Sequence, residues 1–212
     1  MRAAIFVLML LAASLPAGLV RAGVTPSEGE KDEESRVAIC YNYGCAQQDE
    51  VLLDRATLRA VQRRLANAAD ADAERAALSK SIARLYLVAA RQTPVAADRA
   101  GNFLDAGVDG RMDCIDHSTS TTRLLRVLEA RGWLRFHRVV EPARRARFIF
   151  QHYSATIEEV QSEAPPADPA ADADSAPSPA RYVVDSWFVD NGEPAVVMPL
   201  AEWLNGGGPS VH

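Results

Sequence analysis

Lysine is scarce in this chain: Lys31 and Lys80 are the only two among 212 residues, and every other basic side chain is an arginine. Acidic residues outnumber basic ones, 28 against 23, which leaves no positive surplus to neutralise phosphates and argues against nucleic acid as a partner. There is no Gly-rich phosphate loop, no nucleotide motif and no internal repeat. Cysteine occurs only at positions 40, 45 and 114, an odd number that leaves one thiol over if two of them pair. The single long apolar run lies at the extreme N-terminus; it is short for a membrane span, and no stop-transfer pattern follows it.

Residues 1–22 begin Met-Arg, continue through an apolar core and end Val20-Arg21-Ala22, with small or apolar residues at the −3 and −1 positions of a secretory cleavage site. They predict a signal peptide and a periplasmic or secreted mature protein, with no stable membrane anchor after cleavage. Loss of Arg2 and Arg21 leaves 21 basic residues against 28 acidic ones, a formal charge of −7. Residues 23–36, with five acids and almost nothing apolar, predict a disordered N-terminus. A single domain then fits residues 37–205.

Cys40 and Cys45 enclose Tyr41-Asn-Tyr-Gly44, where Asn42 and Gly44 supply turn chemistry, and an oxidising compartment favours joining them in a small structural loop. A redox-active pair or a metal site is the alternative, although no histidine or further cysteine lies nearby. Apolar spacing predicts helices over 49–68 and 71–91, the second stopped by Pro94. The stretch from Thr93 to Arg111 reads as a long irregular approach to a third helix, and long loops inside small domains often carry function. That helix begins near Cys114 and ends at Gly132, with Asp113 placed to cap it. Strands are predicted at 133–140, turned by Glu141-Pro142, then at 147–160, 181–189 and 195–198, before a short helix at 199–204. Residues 162–180 hold five prolines and seven alanines with no aromatic or branched aliphatic side chain, the composition of a disordered insertion. Clustered arginines, Arg135, Arg138, Arg144, Arg145 and Arg147, read as a solvated rim around the predicted turn after Val140.

The chemistry-bearing candidates are Cys114, His152 and Asp185. In the first turn of a helix, unpaired N–H groups and the positive dipole end stabilise a thiolate, so the Cys114 thiol is expected to fall below its ordinary pKa. The bland alternative is a small core cysteine. His152 projects from a mostly apolar strand face and Asp185 from the face of the next strand, and adjacent antiparallel strands bring such residues opposite each other. Taken singly, each is equally a satisfied structural residue. His117, three residues after Cys114, competes as a base, or with Cys114 and Asp113 as a metal ligand.

A helix-start cysteine followed by a strand histidine and an aspartate on the next strand is the order used by papain-like enzymes of the transglutaminase type. The stretch Met112-Asp113-Cys114-Ile115-Asp116-His117-Ser118 resembles the nucleophile motif of bacterial transglutaminase-like cysteine peptidases. His152-Tyr153-Ser154-Ala155 resembles their histidine strand, and Val183-Val184-Asp185-Ser186-Trp187 their acid strand. Met112, Ile115 and His117 depart from that motif, which has glycine, an acid and an aromatic residue there. The resemblance implies an α+β, papain-like transglutaminase-type core, with N-terminal helices packed on an antiparallel β-sheet. It implies Cys114 as nucleophile, His152 as base and Asp185 as its orienting acid, acting as a hydrolase on a protein or peptide of the cell envelope. No cofactor is expected. Calcium, which some members of the family bind, would find only Asp113 and Asp116 here, fewer than its six to eight oxygen ligands, so no metal is expected either. The alternative is an envelope binding module that keeps the fold without the chemistry.

Overall fold

The computed structural model describes residues 34–101, 104–147, 150–160 and 178–210. The expected signal peptide, the N-terminal tail up to residue 33 and residues 162–177 of the expected insertion lie outside the described residues.

A β-hairpin precedes the helices. Strand β1 (Ser35–Tyr41) pairs antiparallel with β2 (Gln47–Leu53), Ser35 opposite Leu53 and Tyr41 opposite Gln47. Two expectations are corrected here. Ser35 and Arg36 belong to a strand rather than to a disordered tail, and the predicted helix from Asp49 begins only at Arg55. Asp54 starts it by accepting the Thr57 amide at 2.7 Å, so the apolar Val51 and Leu53 serve the hairpin face rather than a helix face. Helices α1 (Arg55–Ala66) and α2 (Ala71–Ala89) follow, the second capped by Asp70. A 3-10 turn at Pro94–Ala97 succeeds α2, as the proline requires.

Helix α3 (Cys114–Ala130) is delimited by its own residues. Asp113 and Asp116 form a reciprocal capping box at its start. At its end the Trp133 amide reaches the Leu128 carbonyl and the Gly132 amide that of Glu129, a Schellman closure that places Gly132 at φ +68°.

The main sheet is antiparallel in the order β3 (His137–Arg147), β4 (Phe150–Glu159), β5 (Arg181–Asp185), β6 (Val196–Pro199), and α4 (Leu200–Leu204) follows β6 directly. The strand expected from Trp133 starts at His137. Glu141-Pro142 does not turn the chain: the missing proline N–H interrupts the ladder, register shifts between Val140 and Ala143, and β3 continues to Arg147 past a bulge. The strand expected over 181–189 ends at Asp185, and Trp187 to Val189 form part of an irregular turn. The fold is α+β.

Leu124, Leu125 and Leu128 of α3, Leu78, Ile82 and Leu85 of α2, Ile39, Val51 and Leu53 of the hairpin, and Ala155, Ile157 and Val184 of the sheet share one buried cluster. A smaller cluster of Val183, Trp187, Phe188 and Trp203 gathers near the end of β5, and Cys114 packs against it. The start of α3 therefore meets β4, β5 and α4 in one place.

Candidate active site

The site begins with the disulfide. Cys40 and Cys45 are joined, five positions apart, and the enclosed Asn42, Tyr43, Gly44 and Cys45 all sit in the left-handed region with φ of 65, 65, 65 and 57°. Successive residues of that conformation turn their N–H groups to one side, making an anion-binding concavity. The Tyr43 amide donates to Asp116 Oδ2 at 2.8 Å, the Gly44 amide to Asp113 Oδ2 at 2.9 Å and the Cys45 amide to Asp116 Oδ1 at 2.5 Å. The two carboxylates that bracket Cys114 are thus clamped by the disulfide loop. Their remaining demand is met by the Ile115, Asp116 and Asp113 amides, so every one of their oxygens already receives an N–H. Burial, reinforced by the Asp113 charge, pushes the Asp116 carboxyl up to about 6 against the pull of these amides. The disulfide sulfurs and the Asp116 carboxylate lie within 4.8 Å of each other, but sulfurs bonded to each other are not thiolate ligands.

The clamp sets Cys114 beside the backbone of β4. Its thiol donates to the Gln151 carbonyl at 3.8 Å, and the Tyr153 amide lies on the other side of His152 in the same strand and contacts the sulfur. Among the described residues no thiol–imidazole hydrogen bond is formed at rest. The expected fall in thiol pKa is overturned: burial pushes Cys114 up to about 11, with the Asp113 and Asp185 charges adding to it and the Tyr153 amide opposing it. The helix start favours the thiolate, but desolvation and two neighbouring carboxylates outweigh it.

His152 and Asp185 meet. Nε2 of His152 and Oδ2 of Asp185 are 2.7 Å apart, both groups being buried. They are not directly opposite as expected. Ala155 pairs with Val184, so Asp185 falls across from Ser154 and reaches His152 on the diagonal, within range of two long side chains. Asp185 Oδ2 also accepts the Trp203 indole N–H at 2.9 Å, and Oδ1 the Trp187 amide at 3.2 Å. Three aromatic rings enclose the imidazole, with centroids 4.7 Å away for Trp187, 5.3 Å for Phe188 and 5.4 Å for Trp203.

His117 is placed elsewhere. It is buried, with Nε2 3.0 Å from Asp98 Oδ2 and Nδ1 2.9 Å from Ser186 Oγ, so neither ring nitrogen serves Cys114 as base or joins it and Asp113 around a metal. Ser186 continues to Thr121 and Tyr86, and Asp98 also receives the Met112 amide at 2.9 Å. This network ties the loop before α3 to the residue after Asp185. Sequence reasoning missed Asp98, Trp203 and the capping role of the disulfide loop. The long irregular stretch 93–111 marked the neighbourhood of Asp98, while nothing in the terminal helix pattern distinguished Trp203 from a core residue.

Compared with protein-family models, with curated proteins and with solved structures, the chain matches none in any of the three sets.

Proposed function

We propose that this is an exported cysteine hydrolase of the transglutaminase-like, papain-like type, acting on a peptide or amide bond by acyl transfer through Cys114, His152 and Asp185. The observation that carries the reading is the buried His152–Asp185 hydrogen bond on the strand whose backbone holds the Cys114 sulfur. The disulfide fits an oxidising compartment.

With Nε2–H donating to Asp185, His152 keeps Nδ1 as the free base. The raised thiol pKa places the proton on sulfur at rest. Attack therefore begins with rotation of the thiol away from the Gln151 carbonyl, and the proton passes to Nδ1 as the S–C bond forms. Collapse of the tetrahedral intermediate breaks the C–N bond, His152 returns the proton to the departing amine, and a thioester remains. Water, deprotonated by the same nitrogen, cleaves the thioester and restores the thiol. Asp185 holds the tautomer throughout, and Trp203 and the Trp187 amide hold Asp185.

The second reading, a binding module without chemistry, is favoured by the neutral, carbonyl-bound thiol. One experiment separates the two. Incubation with p-nitrophenyl acetate should transfer an acetyl group to Cys114, detected by acid quench and peptide mass analysis, and His152→Ala should slow the transfer at least a hundredfold. No adduct, or an adduct whose rate ignores His152→Ala, would establish the binding module.

A further inference from the structure

Beside His152 lies a cavity of about 240 Å³. Phe150, Trp187 and Phe188 wall it together with the imidazole, Arg145 stands at its edge, and Gly206–Gly208 with Pro209 form the remaining side. Three of those four residues are glycines, and two of them have no room for a side chain. A Cβ on Gly208, at φ +138°, would lie 2.6 Å from the Phe188 ring, and one on Gly207 would lie 2.7 Å from the Met198 methyl group. The tail's glycines are therefore pressed against Phe188 and put no side chain into the space, and Pro209 is the one side chain the tail adds to the lining.

Three properties define an occupant. Ligand pockets for whole small molecules run from about 300 to 1,000 Å³, so this one is sized for a single large side chain rather than for a complete ligand. Its walls are aromatic, which favours a ring set edge-to-face or offset against them. The Arg145 guanidinium is fixed over the Trp203 and Phe188 rings, 4.6 and 5.7 Å from their centroids, and hydrogen-bonds the Trp203 and Gly207 carbonyls. A fixed positive charge there repels lysine and arginine side chains and is compatible with a neutral π-system.

We infer that this cavity is a specificity pocket that takes an aromatic side chain of the peptide substrate and rejects small and basic ones. The inference names the substrate class of the proposed hydrolase and rests on that reading for its biological meaning. The binding property itself is independent of catalysis.

The test uses the full chain carrying Cys114→Ala, which cannot turn over, with blocked amino acids as probes. In an NMR titration, N-acetyl-phenylalaninamide should shift the amides of Gln151, Phe188 and Gly206–Gly208 and the indole of Trp187. It should bind at least about tenfold more tightly than N-acetyl-alaninamide or N-acetyl-lysinamide, the scale expected of a few apolar carbons in a fitted pocket. Phe150→Ala, which takes away one aromatic wall at an exposed position, should sharply reduce the difference. Equal binding of the three amides, or shifts confined to other surfaces, would overturn the pocket. Failure of p-nitrophenyl acetate to acylate the parent chain would instead overturn the hydrolase reading and leave the binding result standing.

Discussion

Removing the Cys40–Cys45 bond tests how the site is held together. The bond closes a loop with a sequence separation of five, and chain-entropy arithmetic for so short a loop gives about 2 kcal/mol of stabilisation. For a chain of this size that corresponds to a fall in Tm of roughly 4–8 °C. The local effect should be larger than the global one. Holding Asn42, Tyr43 and Cys45 in the left-handed region costs roughly 1–2 kcal/mol each. The three amide bonds to Asp113 and Asp116 return a comparable amount, at about 1.5–3 kcal/mol per bond to a charged acceptor. With the covalent link gone the two sums nearly cancel, so the loop should open while the rest of the fold persists. The assay is a Cys40→Ser/Cys45→Ser chain at 20 °C. Amide exchange at Tyr43, Gly44 and Cys45 should quicken by more than about tenfold, the equivalent of 1.4 kcal/mol, and acetylation of Cys114 by p-nitrophenyl acetate should slow by a similar factor. A double variant that loses about 4–8 °C in Tm yet acylates at the parental rate would refute the claim that the loop positions Cys114.

Other perturbations probe the remaining parts. Trp203→Phe removes one of the donors to Asp185 while keeping an apolar ring; the fold should survive by circular dichroism, and acylation should fall about tenfold, an unmet hydrogen bond to a carboxylate costing about 1–3 kcal/mol. Asp113→Asn removes the neighbouring charge that helps burial raise Asp116 to about 6, so carboxyl NMR titration should find the Asp116 pKa lowered. The sign follows from linkage: a carboxyl raised in the folded state loses stability as pH climbs from its ordinary value through about 6, so the parent should lose stability over that window and the variant less. Glu74 shows the opposite sign. Burial opposes its ionisation, but His137 and the Arg135 and Phe136 amides prevail and lower its pKa, so its contribution is present above the ordinary carboxylate range and disappears as pH falls through the folded value. Glu74→Gln should cost about 1–3 kcal/mol at pH 7 and flatten the acid limb of the denaturation curve.

What the sequence made legible is what local chemistry decides. The limits of α3 were readable because Asp113 and Gly132 end helices by their own conformations, and the disulfide because Asn42 and Gly44 shape its loop. The hairpin at 35–53 was hidden because its second strand runs into Asp54, a helix cap whose following apolar residues extend the same pattern with a helical period. Pro142 reads as a turn in sequence, yet a bulge absorbs it, since pairing on both sides is stronger than one missing donor. At the site, residue types and order pointed to Cys114, His152 and Asp185, and two of these share a hydrogen bond. The thiol pKa was misjudged because the helix dipole is visible in sequence, whereas burial and the approach of Asp185 are products of tertiary packing. Trp203 and Asp98 were unreadable for the same reason: each acts through a contact with a residue far away along the chain.

The hydrogen bond from the Trp203 indole to Asp185 also makes the site its own optical reporter. Trp203 is fully buried, its N–H points at the same Asp185 oxygen that His152 bonds, and Trp133 lies in the other apolar cluster. Any event that puts a proton on His152 or displaces Asp185 changes the electric field across the indole and therefore its emission. A chain carrying Trp133→Phe and Trp187→Phe would hold one tryptophan emitter, bonded to Asp185. Ligand entry beside His152 could then be followed by fluorescence without labelling the ligand.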